Sequence, residues 1–257
     1  MHLVNRILAS IASSSRLPTN SSGKYYKWQF GSLYYEKHGA GAPILLVHNM
    51  AVESSSHEWS EMVNALSKTR TVYTIDLLGC GHSDKPDMVY TGFLYTQMIL
   101  SFIKSNIGAA CDIVASKSSA PFVLAAAASD TDAIRQIILI NPVSPSVAAE
   151  IPNKKTKLLM RLIGAPVKGT FVYNVLCGIK TLQFQDPQSK YLFASIMGRY
   201  TTLNIDAFAS NINNSLFIIE ESCSLSIAED YKNLISSAEI IKLEEPKLLT
   251  DKISSLI

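Results

Sequence analysis

Ile113-Val114-Ala115-Ser116-Lys117-Ser118-Ser119-Ala120-Pro121 joins two different patterns within nine residues. Ile113 to Ala115 is an apolar run of strand type, and Phe122 to Ala128 has the composition of a buried helix. A strand that turns directly into a helix drives the residue at the bend into strained backbone space, so its neighbours at minus two and plus two must be small. Ser116 and Ala120 fill those places when the bend is put at Ser118. Pro121 falls in the first helical turn, where a missing N–H costs no hydrogen bond. The Ser118 hydroxyl is then expected at the C-terminal edge of the sheet, where α/β sheets hold their ligands. Taken alone, Ser-x-Ser-x-Ala also fits a serine-rich loop without function.

Outward from this segment, strand and helix patterns alternate. Ile44 to Val47 is a continuous apolar run of the kind buried on both faces of a parallel sheet. Trp59–Leu66 reads as helix, Val72–Ile75 as strand, Thr91–Ile107 as helix and Ile137–Ile140 as strand. Leu216–Ile219 and Ile240–Leu243 continue the sheet, with helices at Ile227–Ile235 and Leu248–Ile257. Before them, the aromatic runs Lys24–Phe30 and Ser32–Glu36 flank Gly31 and predict an antiparallel hairpin. Residues 144–205 break the rhythm: Lys157–Ile163, Phe171–Ile179 and Tyr191–Met197 are helical patterns with no strand between them. The expectation is an α/β fold, one domain over residues 1–257, with a mostly parallel sheet flanked by helices and a helical cap insertion at 144–205.

Composition narrows the classes. A hydrophobic content of 47% with 17% charged residues excludes a disordered chain. A net charge of +2 gives no global attraction to nucleic acid, so none is expected as a partner. Cys80, Cys111, Cys177 and Cys223 lie far apart without a C-x-x-C pair; they read as buried thiols of a reducing compartment, not as a metal site. No apolar run is long enough to span a bilayer. The N-terminus has no acid before Glu36, and Leu3, Val4, Ile7, Leu8 and Ile11 fall at helical spacing. It reads as a short amphipathic helix on a cytoplasmic protein, or alternatively as an organelle-targeting segment.

Three further segments carry a resemblance. Ile44 to Asn49 is an apolar strand ending in a His-containing turn. Asp76-Leu77-Leu78-Gly79-Cys80-Gly81-His82-Ser83-Asp84-Lys85-Pro86 is a loop with a distinctive order, and Glu244-Glu245-Pro246 follows the last strand. Together with the 113–121 segment they resemble the α/β-hydrolase superfamily along nearly the whole chain, the 76–86 loop being the most specific match. The resemblance implies Ser118 as nucleophile, residues 144–205 as a cap, the Leu216 strand as the carrier of a triad acid, and no cofactor.

The same resemblance exposes departures. Glu239 stands where the superfamily's catalytic histidine should be, and no histidine follows His82. Cys223 stands at the acid position, with Glu220 and Glu221 just before it; Glu221 is the candidate acid. Asn49 replaces the oxyanion-turn glycine, although Asn tolerates left-handed backbone. If the turn survives, the N–H groups of Met50 and Ser119 are the candidate oxyanion donors. Losing a triad histidine lowers turnover on the order of 10⁶-fold, while about 10³–10⁴ over water remains from oxyanion hole and binding. Another base would have to reach Ser118. Glu239 is the leading candidate, provided burial raises its pKa. Lys117 adjoins Ser118 but would point to the opposite face. His48 reads more readily as a histidine satisfied by loop backbone, His82 as a loop residue and His57 as a helix-start residue.

Two functions stay open at this point. One is a serine hydrolase of small apolar esters or acyl compounds, with Ser118, Glu239 and Glu221 as its machinery and His48, Asn49, Met50 and Ser119 around the pocket. The other is a noncatalytic relative that keeps the pocket for a small apolar molecule or an unidentified protein partner. Lys154, Lys155, Lys157, Arg161 and Lys168 make the mid-chain helices basic; a solvated helix face is the expected reading, contact with lipid headgroups or an acidic ligand the alternative. Phe171, Tyr173, Phe184, Tyr191 and Phe193 either line a pocket or pack the cap. Gly79-Cys80-Gly81 lacks the third glycine and the helix of a phosphate-binding loop.

Overall fold

A computed structural model describes residues 23–165, 168–181, 187–221, 225–243 and 249–257. The expected N-terminal helix, Cys223 and Glu244–Pro246 lie outside the described residues. Eight strands form one sheet: β1 (Lys24–Trp28), β2 (Gly31–His38), β3 (Pro43–Val47), β4 (Thr71–Ile75), β5 (Cys111–Ser116), β6 (Ile134–Ile140), β7 (Ser215–Glu221) and β8 (Ala238–Leu243). Their order is β1-β2-β4-β3-β5-β6-β7-β8, with β1 and β2 antiparallel, β2 antiparallel to β4, and every later pair parallel. The predicted hairpin is present, its strands meeting at Trp28 and Gly31.

The period-2 alternation of the apolar runs sorts side chains onto two faces. Leu45, Val47, Ile113, Ala115, Ile137, Leu139 and Ile218 enter the larger core, beneath α2 (Gly92–Phe102), α3 (Ala120–Ser129) and α8 (Leu225–Leu234). Ile44, Leu46, Val114, Ile138 and Ile219 face the opposite core with Trp59, Met62, Val63 and Leu66, contributed mainly by α1 (Ser60–Leu66), and with Ile253 of α9 (Leu249–Leu256). Both faces are covered, which is why these strands are continuously apolar. Thr91 caps α2 by accepting the Leu94 N–H at 3.2 Å. That helix is shorter than the sequence pattern, because Ile103–Ile107 continues as a π-helical turn ended by Gly108 at φ 74°.

Between β6 and β7 the described residues carry the helices α4 (Pro145–Ala148), α5 (Lys154–Ile163), α6 (Lys168–Thr181) and α7 (Lys190–Met197). Ile163, Tyr173, Phe193 and Ala194 form a small core of their own, whereas Leu192, Leu203 and Ile205 enter the main core and anchor the segment. Tyr173 and Phe193 therefore pack against each other, ring centroids 5.3 Å apart.

Chain order places the site. From β3 the chain moves outward to β4, then returns to lay β5 on the other side of β3. The C-terminal ends of β3 and β5 therefore flank the point where the winding reverses, the usual ligand crevice of such a sheet.

Candidate functional site

The left-handed backbone at the β5–α3 junction falls on Lys117, at φ 47°, one residue before the place chosen from sequence. Ser116 is still extended and paired with Ile140, so strand geometry persists one residue longer than the apolar run indicates. The small flanking residues are then Ala115 and Ser119, both fully buried. The two frames, Ser116/Ala120 and Ala115/Ser119, satisfy the size rule equally; looking for a serine at the centre selects the wrong one. Residues 117–119 make one 3₁₀ turn into α3, with Pro121 in its first turn.

Lys117 is exposed and Ser118 half-buried. Ser118 lines a cleft of about 70 Å³ with Met50, Pro121, Val143, Val147, Ala148, Ile196 and Thr201. The Ser118 N–H donates to Asn49 Oδ1 at 3.2 Å. Asn49 thus presents an acceptor to the amide that follows the bend, the position where an oxyanion donor would have to be free. Its own N–H donates to Glu58 Oε1 at 3.1 Å, and the same oxygen accepts the Ser116 hydroxyl at 2.6 Å. Glu58 comes from the 3₁₀ turn Ser56–Trp59, whose His57 N–H donates to the Ser55 hydroxyl. No motif flags this Glu58–Ser116–Asn49 link, in which the Ser116–Glu58 bond alone joins residues 58 positions apart.

His48 is fully buried and has no nitrogen to spare. Nε2 accepts the Leu77 N–H at 2.9 Å, which fixes the proton on Nδ1, and Nδ1 donates to the Asn49 carbonyl at 2.7 Å. It is a loop brace, in line with the backbone-satisfied alternative. Ser119 donates its hydroxyl to the His48 carbonyl and so ties the start of α3 to the end of β3. Met50 is buried on the cleft wall.

Glu239 is not brought to Ser118. It is the second residue of β8 and exposed, in register with Phe217, Ile138 and Val114, below the level of Ser116. β8 is three strands from β5, a lateral separation of about 14 Å at the usual strand spacing. Because Ala238–Leu243 is strand, residue 239 lies within the sheet and not on a loop at its C-terminal edge. The Glu221 backbone closes β7 opposite Leu243, and its side chain lies outside the description. Glu220 beside it is 4% exposed with Oε2 unbonded; burial raises its carboxyl above the ordinary 4.5, against a smaller opposing effect of the Ala228 amide. Among the described residues, no carboxylate or imidazole bonds the Ser118 hydroxyl.

The 76–86 loop is held around Asp76. This buried carboxylate accepts the Ser56 N–H at 2.6 Å and the His82 N–H at 2.8 Å. Burial by itself would raise its pKa, but the hydrogen bonds to His82 and Ser56 outweigh that and hold it below 3.8. Gly81 is required there: at φ 47° a Cβ would stand 2.1 Å from Asp76 Oδ2.

No protein-family model matches the chain. A haloalkane dehalogenase of Agrobacterium fabrum is 27% identical over 127 residues, 48% of this chain and 41% of that relative. The chain thus spans less than half the length of the curated relative it matches. Solved structures align over far more. An enol-lactonase from Burkholderia xenovorans LB400 has a TM-score of 0.68 at 17% identity, covering 90% of this chain and 98% of that one. A loop variant of a haloalkane dehalogenase from Bradyrhizobium elkanii has 0.70 at 13%, covering 91% and 95%. A hydrolase from Pseudomonas aeruginosa PA01 has 0.70 at 15%, covering 92% and 98%.

The chain has the α/β-hydrolase fold. At such identities the likeness speaks for that fold alone. Within that fold, Lys117 occupies the bend between β5 and α3, and Ser118 follows it.

Proposed function

We propose that this α/β-hydrolase-fold protein is a noncatalytic binder of a small, largely apolar molecule, held in the Ser118 cleft beneath a cap formed by residues 144–205. The observation that carries this reading is the Asn49 side chain on the Ser118 N–H, directly after a bend occupied by lysine. A nucleophile at the bend would need a free amide on the next residue and a base within reach; lysine holds the bend, Asn49 takes that amide, and His48 is committed to backbone. The lining supplies apolar walls from Met50, Val143, Val147 and Ile196, with Ser118 and Thr201 as hydroxyl anchors. Its volume of about 70 Å³ suits a ligand of short-chain size, or one that reaches outward past Arg199.

The esterase reading keeps one supporting observation: Ser118 lines the cleft, and among the described residues none bonds its hydroxyl. Two measurements separate the readings. Short-chain alcohols, acids and esters should raise the melting temperature, and Ser118→Phe, which fills the cleft, should abolish the shift. The p-nitrophenyl acetate and butyrate esters should turn over no faster with the protein than with Ser118→Ala. Ester turnover lost in Ser118→Ala would make the protein a hydrolase.

A further inference from the structure

We propose that the α5–α6 face docks on an anionic membrane surface. Residues 151–175 contain Lys154, Lys155, Lys157, Arg161 and Lys168 and neither Asp nor Glu. A solvated helix face would be polar throughout, but this one is not. Leu158 is 57% exposed, Leu162 52% and Ile151, in the turn before α5, 79%. At 100° per residue, Lys157, Arg161, Lys154, Leu158, Leu162 and Lys155 follow one another around one side of α5, all exposed. Ile163, the buried residue of the helix, lies on the other side. The two leucines are therefore flanked by cations on both edges. On α6, Phe171, Val175 and Lys168 lie side by side at helical spacing and are exposed, with the cation at one edge. Asn153 and Thr156 close a reciprocal capping box, so the N-terminus of α5 is formed without any acidic residue that would repel a negative surface.

Apolar side chains of this size inserted at the headgroup boundary, with lysine stems reaching outward to phosphate, describe an interfacial helix. The charge sign selects the occupant. The N-terminal segment of the same chain is itself cationic and acid-free up to Glu36, so it offers no countercharge. Leucines between the lysines favour a surface with an apolar interior over a soluble polyanion.

Flotation of the full chain with vesicles tests the proposal. It should bind phosphatidylcholine vesicles containing one third phosphatidylserine, not pure phosphatidylcholine, and should release as salt rises. At about fivefold per cation near the surface, Lys154→Glu/Lys155→Glu/Lys157→Glu should weaken binding at least a hundredfold. Leu158→Ser/Leu162→Ser, which is exposed and leaves the core intact, should weaken it at least tenfold. Absence of binding to the anionic vesicles would overturn the proposal. So would binding that survives the leucine substitutions, since the contact would then be a polyanion site or lie elsewhere in the chain. Unchanged circular dichroism and melting temperature of both variants keep the comparison valid.

Discussion

Substituting Glu58 by alanine tests the link that organises the site. The carboxylate accepts the Ser116 hydroxyl at 2.6 Å and the Asn49 N–H at 3.1 Å through one oxygen. Ser116 is 6% exposed, so its hydroxyl gains little replacement from water. A charge-assisted hydrogen bond contributes about 1.5–3 kcal/mol, and an orphaned buried hydroxyl costs about 1–3. Glu58 itself is exposed, which screens its charge, so about 2 kcal/mol is the expected loss for Glu58→Ala. In a chain of this length that lowers the melting temperature by about 4 °C. Ser116→Ala should cost about 1 kcal/mol, because Glu58 keeps solvent and the Asn49 amide. The double variant should lose about 2 kcal/mol rather than the additive 3, a coupling of about 1 kcal/mol. Urea unfolding at pH 7 measures all three. Strict additivity, or a Glu58→Ala variant as stable as the parent, would show that the carboxylate does not hold Ser116 and Asn49 together.

Other expectations concern titration and accessibility. The Asp76 carboxyl is depressed in the folded state, so its stabilisation is complete above the unfolded value near 3.8 and lost as pH falls through the lower folded value; Asp76→Asn should remove that acid dependence and destabilise at pH 7. Glu220 has the opposite sign. Its raised pKa makes the ionised form unfavourable in the fold, so Glu220→Gln should stabilise at pH 7, with the difference vanishing below about pH 4. Cys80 and Cys111 are buried thiols whose pKa burial raises, that of Cys111 to about 12, so neither should react with Ellman's reagent at pH 8 until urea unfolds the chain.

The layers of this fold are legible because both faces of the central strands are covered. Ile44–Val47 and Ile137–Ile140 must be apolar at every position, and such runs bounded by glycine and polar turns have few other readings. The 76–86 loop is legible for another reason: Gly81 must leave room for Asp76, which forces a fixed order of residue types. The bend at Lys117 is hidden because two overlapping frames carry small residues at the required offsets. Only the persistence of β5 pairing through Ser116 distinguishes them, and that is a long-range property. Glu239 misleads for a related reason. Counting back from Glu244 assumes a loop after the last strand, while the strand itself occupies those positions. The Glu58–Asn49–Ser118 chain joins residues that no periodicity connects, so it is visible only in three dimensions.

Labelling with a fluorophosphonate, read by intact mass, bears most directly on the claim that the Ser118 hydroxyl is not activated. No adduct is expected on the folded protein between pH 7 and 9, with or without Ser118→Ala. A stoichiometric adduct that maps to Ser118 and disappears in Ser118→Ala would contradict it.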